Sequence, residues 1–146
     1  MKDMGDLHYY LGVKVEQHKG QKSVGMDQEQ CILKLMDKYG LSQAKNAATP
    51  FDCGTKLSNE IGESREADRM LYQSMVGSLM YMYIANASRP DISYAVGVVS
   101  RYCLAQSHPH MNTVKQIFCC LKKTSNLCLT FQKQSQSSLT GFSDAD

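Results

Sequence analysis

The chain has 146 residues and a formal net charge of +2, with 42% apolar and 21% charged residues. That is one domain's worth of chain, able to bury roughly two-thirds of its unfolded surface, with the composition of an ordinary globular protein rather than a fibrous or disordered one. No apolar run approaches the roughly twenty residues of a membrane span, and so small a net charge argues neither for nor against a polyanionic partner.

Residues 1–7 are polar and turn-like. From His8 to Gln17, Tyr9, Leu11, Val13 and Val15 alternate with other residues, which predicts one strand. Lys19-Gly20 signals a turn and residues 23–26 a return strand, giving an N-terminal β-hairpin. Residues 27–39 predict a helix. Asp27 is the candidate N-cap, Ile32, Leu35, Met36 and Tyr39 form the apolar stripe, and Gly40 stands where a left-handed C-terminal cap belongs. Residues 41–66 lack apolar periodicity, contain Thr49-Pro50, Gly54 and Gly62, and read as a flexible connector.

Residues 71–102 are the longest apolar stretch and predict two helices. Leu71, Met75, Ser78, Leu79, Met82 and Tyr83 form the stripe of the first, with Asp68 as its N-cap; Ile92, Ala95, Val96, Val99, Tyr102 and Cys103 form the stripe of the second. Pro90 fits a first helical position, and Asp91 then meets the positive end of the helix dipole. Gly77 and Gly97 sit singly in these helices, where close packing is the plain explanation. A third helix runs from about 109 to 123, with Met111, Val114, Ile117, Phe118 and Leu121 inward. Lys115, Cys119, Lys122 and Lys123 share another face, which could lie along a phosphate backbone, a solvated helix face being the commoner explanation. Residues 127–133 alternate as a strand, 134–138 make a polar turn, and 139–142 open a second strand. The predicted fold is α+β and mostly helical: an N-terminal β-hairpin, a central three-helix core and a C-terminal strand pair.

Charge and cysteines add to this. Residues 92–143 hold Arg101, Lys115, Lys122, Lys123 and Lys133 and no Asp or Glu, so the C-terminal half is basic. Six cysteines show no CxxC pair and no accompanying signal peptide, which reads as reduced, intracellular thiols in the cytoplasm or nucleus. His8, His18, His108 and His110 show no zinc-protease or triad spacing.

The motifs Leu71-Tyr72, Val76-Gly77-Ser78-Leu79-Met80-Tyr81, Arg89-Pro90-Asp91-Ile92, Tyr94-Ala95-Val96 and Ser100-Arg101-Tyr102 resemble the region that follows the polymerase in copia-type retrotransposon Pol polyproteins. The resemblance extends over nearly the whole chain. It implies that residues 1–40 are the end of the reverse transcriptase palm and a thumb-like helix, and that 41–66 are a connector. Residues 67–133 would be a helical connection region, and 134–146 the first strand of RNase H. Tyr10-Leu11-Gly12 would then belong to the strands that grip a primer end, a glycine allowing close backbone approach. His110 matches a histidine that starts the third helix, with a capping or packing role. Asp144 matches the first metal-binding carboxylate of RNase H.

The same resemblance implies an intact parent enzyme that uses two Mg²⁺ ions held by several carboxylates. Here there is no Asp-Asp pair, and one carboxylate cannot hold a metal pair, so the expectation is no catalysis and no cofactor for this chain alone. Gln73, Gln116 and Cys119 stand where the family usually has arginines, Met111 where it has tryptophan, and Lys123 where it commonly has glycine. Losing arginines removes bidentate phosphate contacts. The reading is a fragment of a Pol polyprotein, decayed or truncated, with Leu11, Gly12, Lys115, Lys122 and Lys123 as inherited contacts to a primer–template or RNA–DNA hybrid. The rest of a Pol polyprotein is a further expected partner. The alternatives are a host-used protein-interaction module, whose helical hairpin binds a partner helix, and a fragment without function.

Overall fold

A computed structural model describes residues 5–52, 54, 55, 57, 66–82 and 88–133. The N-terminal strands are β1 (Tyr9–Tyr10), β2 (Val13–His18) and β3 (Ser23–Asp27), followed by helix α1 (Glu29–Lys38). Helix α2 (Glu66–Met80), a 3₁₀ turn at Pro90–Ile92 that runs into α3 (Ser93–Ser100), helix α4 (His108–Lys123) and strand β4 (Leu129–Gln132) complete the described elements. The fold is α+β. Among the described residues no helix is long and apolar enough to cross a membrane.

The stretch from His8 to Gln17 is two strands rather than one. Between Tyr10 and Val13, which pair directly, the chain reverses through Leu11 and Gly12 at φ of 49° and 85°. Two positive φ values in a two-residue loop mark a type I′ turn, whose twist matches that of the strands it joins. Alternation of apolar residues continued through the turn and concealed it.

The sheet is antiparallel throughout, in the order β1-β2-β3-β4. Strand β4 adds to the N-terminal hairpin, with Phe131 opposite Val24 and Leu129 opposite Met26. The strand expected at 139–142 lies outside the described residues. Helix α4 returns the chain to β3, and the short 124–128 connection leaves β4 next to it.

Helix α1 starts one residue later than its sequence suggests. Gln28 is the N-cap, and Asp27 closes β3 while its Oδ1 accepts from the Glu29 N–H at 3.3 Å. Its far end follows the expectation. Gly40 takes φ 65°, the Gly40 N–H donates to Asp37 O and the Leu41 N–H to Met36 O, a Schellman arrangement.

The core lies between the four helices: Ile32 and Met36 of α1; Tyr72, Met75, Val76, Leu79 and Met82 in and just after α2; Ile92, Ala95, Val96 and Val99 from the 3₁₀ turn and α3; Val114, Ile117, Phe118 and Leu121 of α4. The α2 stripe is shifted by one residue at its start. Leu71 is exposed and Tyr72 is fully buried, because its hydroxyl donates to Val99 O at 2.7 Å and so leaves no polar group unpaired. Asp68 stands inside the first turn of α2, not at its cap. Gly77 and Gly97 are exposed, and a Cβ added at either would meet nothing within 4 Å, so close packing within this chain does not account for them.

Candidate nucleic-acid interface

The type I′ turn puts Leu11 at the tip of the β1–β2 hairpin, half-exposed beside the exposed Tyr9 and Tyr10. The left-handed region costs a residue with a Cβ about 1–2 kcal/mol, and Gly12, next in the turn, avoids that cost. A Cβ at Gly12 would lie 3.7 Å from Cys31 Sγ, so the turn rests on α1. The tip is thus held in place while its apolar side chain faces outward.

The second set of expected contacts sits on α4. Lys115 and Lys123 are exposed. Lys122 is half-buried, and its ammonium donates to Ser42 O at 2.5 Å and Ala44 O at 3.0 Å. The cause is the first part of the connector, which lies along α4. The Ala47 N–H donates to Cys119 O (3.4 Å) and Gln116 Nε2 to Thr49 O (3.3 Å), so residues 42–49 run antiparallel to the helix. This strap covers the face that carries Gln116, Cys119 and Lys122, and leaves Lys115 and Lys123 on its margins.

Asp144 lies outside the described residues. Among the described residues no group of three or more His, Cys, Asp or Glu side chains is placed to hold a metal ion.

Two further polar constructions stand beside the site, the second in the capping and packing role that the family resemblance implies for His110. Arg89, with only 4% of its side chain exposed, forms a two-pronged pair with Asp91: Nε to Oδ1 at 2.9 Å and Nη2 to Oδ2 at 2.8 Å. The same guanidinium donates to Thr124 O (3.2 Å) and Thr124 Oγ1 (2.6 Å) at the end of α4. A cation there adds to the Leu127 N–H that the same carbonyl accepts at 3.1 Å, and meets the negative end of the helix dipole. The Arg89 guanidinium in turn holds the Asp91 carboxyl below its usual range. The Arg-Pro-Asp sequence is therefore a clamp between the α2–α3 junction and α4. Its sequence signals were an arginine beside a helix-starting proline and the Arg89-Pro90-Asp91-Ile92 motif of the resemblance, neither of which shows the contact with Thr124.

His110 is the other. Buried against the Tyr102 ring (centroids 4.1 Å apart), it accepts the Ser107 N–H on Nδ1 at 2.9 Å, which caps α4. Burial pushes its pKa down.

Fold and site together define a mixed α+β segment with an outward hairpin turn and a strapped basic helix. Along its whole length the chain is 34% identical to the Retrovirus-related Pol polyprotein from transposon TNT 1-94 of Nicotiana tabacum, covering 11% of that protein. It is 34% identical to the corresponding polyprotein from transposon RE1 of Arabidopsis thaliana, covering 10% of it. A Ty5-1 transposon protein of Saccharomyces cerevisiae is 30% identical over 99% of the chain, which spans 46% of that relative. The chain belongs with the Pol polyproteins of copia-type retrotransposons and corresponds to a segment of them. No protein-family model and no solved structure matches it.

Proposed function

We propose that this Pol-derived segment holds a primer–template hybrid without catalysing chemistry itself. The observation that carries the reading is the Leu11–Gly12 turn, a strained conformation kept at an exposed tip with an apolar side chain facing out. Such strain is retained where the surroundings over-determine it, and it clusters at ligand clamps. Leu11 and Gly12 would press against the sugar–phosphate edge of the primer. Lys115 and Lys123 would supply the salt-sensitive part of the affinity through the phosphates. The binding is weak, because two or three lysines release few counterions. Polymerisation and RNase H cleavage, with their Mg²⁺ ions, belong to the parent enzyme, to which Asp144 would contribute only as one carboxylate of a complete set. The free thiols among the described residues, Cys31, Cys103, Cys119, Cys120 and Cys128, suit work inside the cell.

A titration with a short RNA–DNA hybrid at several salt concentrations tests this. Leu11→Asn suits the left-handed position and removes the apolar contact. The variant gains about 1 kcal/mol of stability and loses several-fold in hybrid affinity. Replacing Lys115 and Lys123 by Gln flattens the salt slope by about two contacts' worth. Salt-insensitive binding, or none, refutes the reading. The exposed Met70, Leu71, Met80 and Tyr81 on and just after α2 favour a second reading, a protein-interaction module. Stoichiometric complex formation with a protein, in a chain that does not bind the hybrid, would establish it instead.

A further inference from the structure

The strap over α4 is built differently at its ends and in its middle. At one end Leu41 packs on the core directly after Gly40, whose φ of 65° turns the chain sharply out of α1. At the other, Phe51 packs on the core and meets the Tyr94 ring edge-on at 5.8 Å, directly after Pro50. Between these anchors the side chains of Gln43, Lys45, Asn46, Ala48 and Thr49 are exposed, and only small residues face inward. The described bonds of this middle to α4 are polar, and those made by Ala47 and Thr49 are 3.4 and 3.3 Å long. The short ones belong to Lys122, whose ammonium reaches Ser42 O and Ala44 O.

Those two acceptors are neutral carbonyls. An ammonium paired with an anionic oxygen adds the attraction of a full opposite charge to the hydrogen bond, which a carbonyl dipole does not supply. A phosphate presented beside the exposed Lys115 and Lys123 therefore offers Lys122 a better partner than the strap does. Lys45 rides on the strap itself and is exposed, so the same polyanion would draw the strap's own charge toward it. We propose that residues 42–49 are a displaceable strap latched by Lys122, which lifts from α4 between its anchors when a nucleic-acid backbone docks and so adds Lys122 to the phosphate contacts. The proposal rests on the hybrid-binding reading above and adds its regulation: the covered state lowers affinity until two or more phosphates are present together.

The test uses the full chain carrying Ala47→Cys, which places a thiol opposite the native Cys119 across the 3.4 Å backbone contact. Oxidation ties the strap down and reduction releases it in the same protein. With a short RNA–DNA hybrid as probe, the reduced form should bind about tenfold more tightly, with a salt slope steeper by about one phosphate contact. On the unsubstituted chain, saturating hybrid should raise tryptic cleavage after Lys45 at least about fivefold, as strap opening exposes a backbone that folding had covered. Binding of equal strength and slope in both redox forms, or unchanged cleavage after Lys45 in a chain that does bind, overturns the strap and leaves the binding reading intact. Absence of hybrid binding in every form overturns both.

Discussion

Removing either half of the Arg89 clamp should destabilise the protein, and the order of the two effects follows from burial. Asp91→Ala strands a guanidinium that is 4% exposed, with Thr124 O and Oγ1 as its remaining described acceptors. Breaking a buried pair by deleting one partner costs about 3–5 kcal/mol. Asp91 itself is 46% exposed, so water reaches the gap and the lower figure, about 3 kcal/mol, applies. Arg89→Met instead removes the charge, fills the space with an apolar chain and lets the half-exposed Asp91 rehydrate. What is lost is the pair of charge-assisted bonds to Thr124, whose carbonyl keeps the Leu127 N–H, at a cost of about 2 kcal/mol. The double variant should be no less stable than Asp91→Ala alone, a coupling of at least about 2 kcal/mol between the two sites. Urea unfolding with an unchanged m-value measures all three. The pH dependence carries a sign as well. The folded-state pKa of Asp91 is depressed, so its contribution is present above the ordinary carboxylate value near 4 and is lost as pH falls through the folded value. If Asp91→Ala costs less than about 1 kcal/mol, the guanidinium does not depend on its carboxylate and the clamp argument is wrong.

Gly77→Ala and Gly97→Ala should each raise stability by about 0.5–1 kcal/mol, additively, because both positions are helical and open; thermal unfolding checks it. The neutral His110 ring caps α4, and its folded-state pKa is depressed. Its share of stability is therefore intact above the ordinary value near 6.5 and falls as pH drops below that, a slope that His110→Gln should flatten in pH-dependent unfolding.

The apolar stripes of α3 and α4 were legible in the sequence because helical periodicity depends on spacing alone, and Val96, Val99, Ile117 and Leu121 are buried as that spacing requires. The cap at Gly40 was legible for a local reason, since glycine is the residue that enters the left-handed region freely. Leu11 shows where local reasoning stops. Alternation through Tyr9, Leu11, Val13 and Val15 favours a continuous strand, and only pairing between Tyr10 and Val13 forces the reversal. Tyr72 was missed because its burial depends on a carbonyl of another helix, at Val99. Lys122 is the same lesson in the candidate site. Its position on a basic helix face follows from the sequence, but its availability depends on residues about 80 positions earlier in the chain, whose carbonyls it binds. Non-periodic residues such as 42–49 carry no signal of where they will lie.

The clamp also reaches the hairpin turn, through β4. A two-stranded hairpin is marginal in water, so β2 and β3 depend on the pairing of β3 with β4. Strand β4 begins five residues after Thr124, the residue that Arg89 holds by two bonds. Releasing Thr124 frees the end of α4, loosens the register of Leu129 opposite Met26, and withdraws support from the sheet whose far edge presents Leu11. Arg89→Met should therefore lower hydrogen-exchange protection at the amides of β2 and β3 by about the same 2 kcal/mol it costs globally. The α2 and α3 amides that exchange through local openings, without breaking the clamp, should change less. Native-state exchange on the two proteins measures the difference. Equal loss of protection in the hairpin and in α2 and α3 would mean that the molecule opens only as a whole, and the link between clamp and turn would fail. Preferential loss in the hairpin would show that a buried arginine remote in sequence from the turn sets how firmly Leu11 and Gly12 are presented.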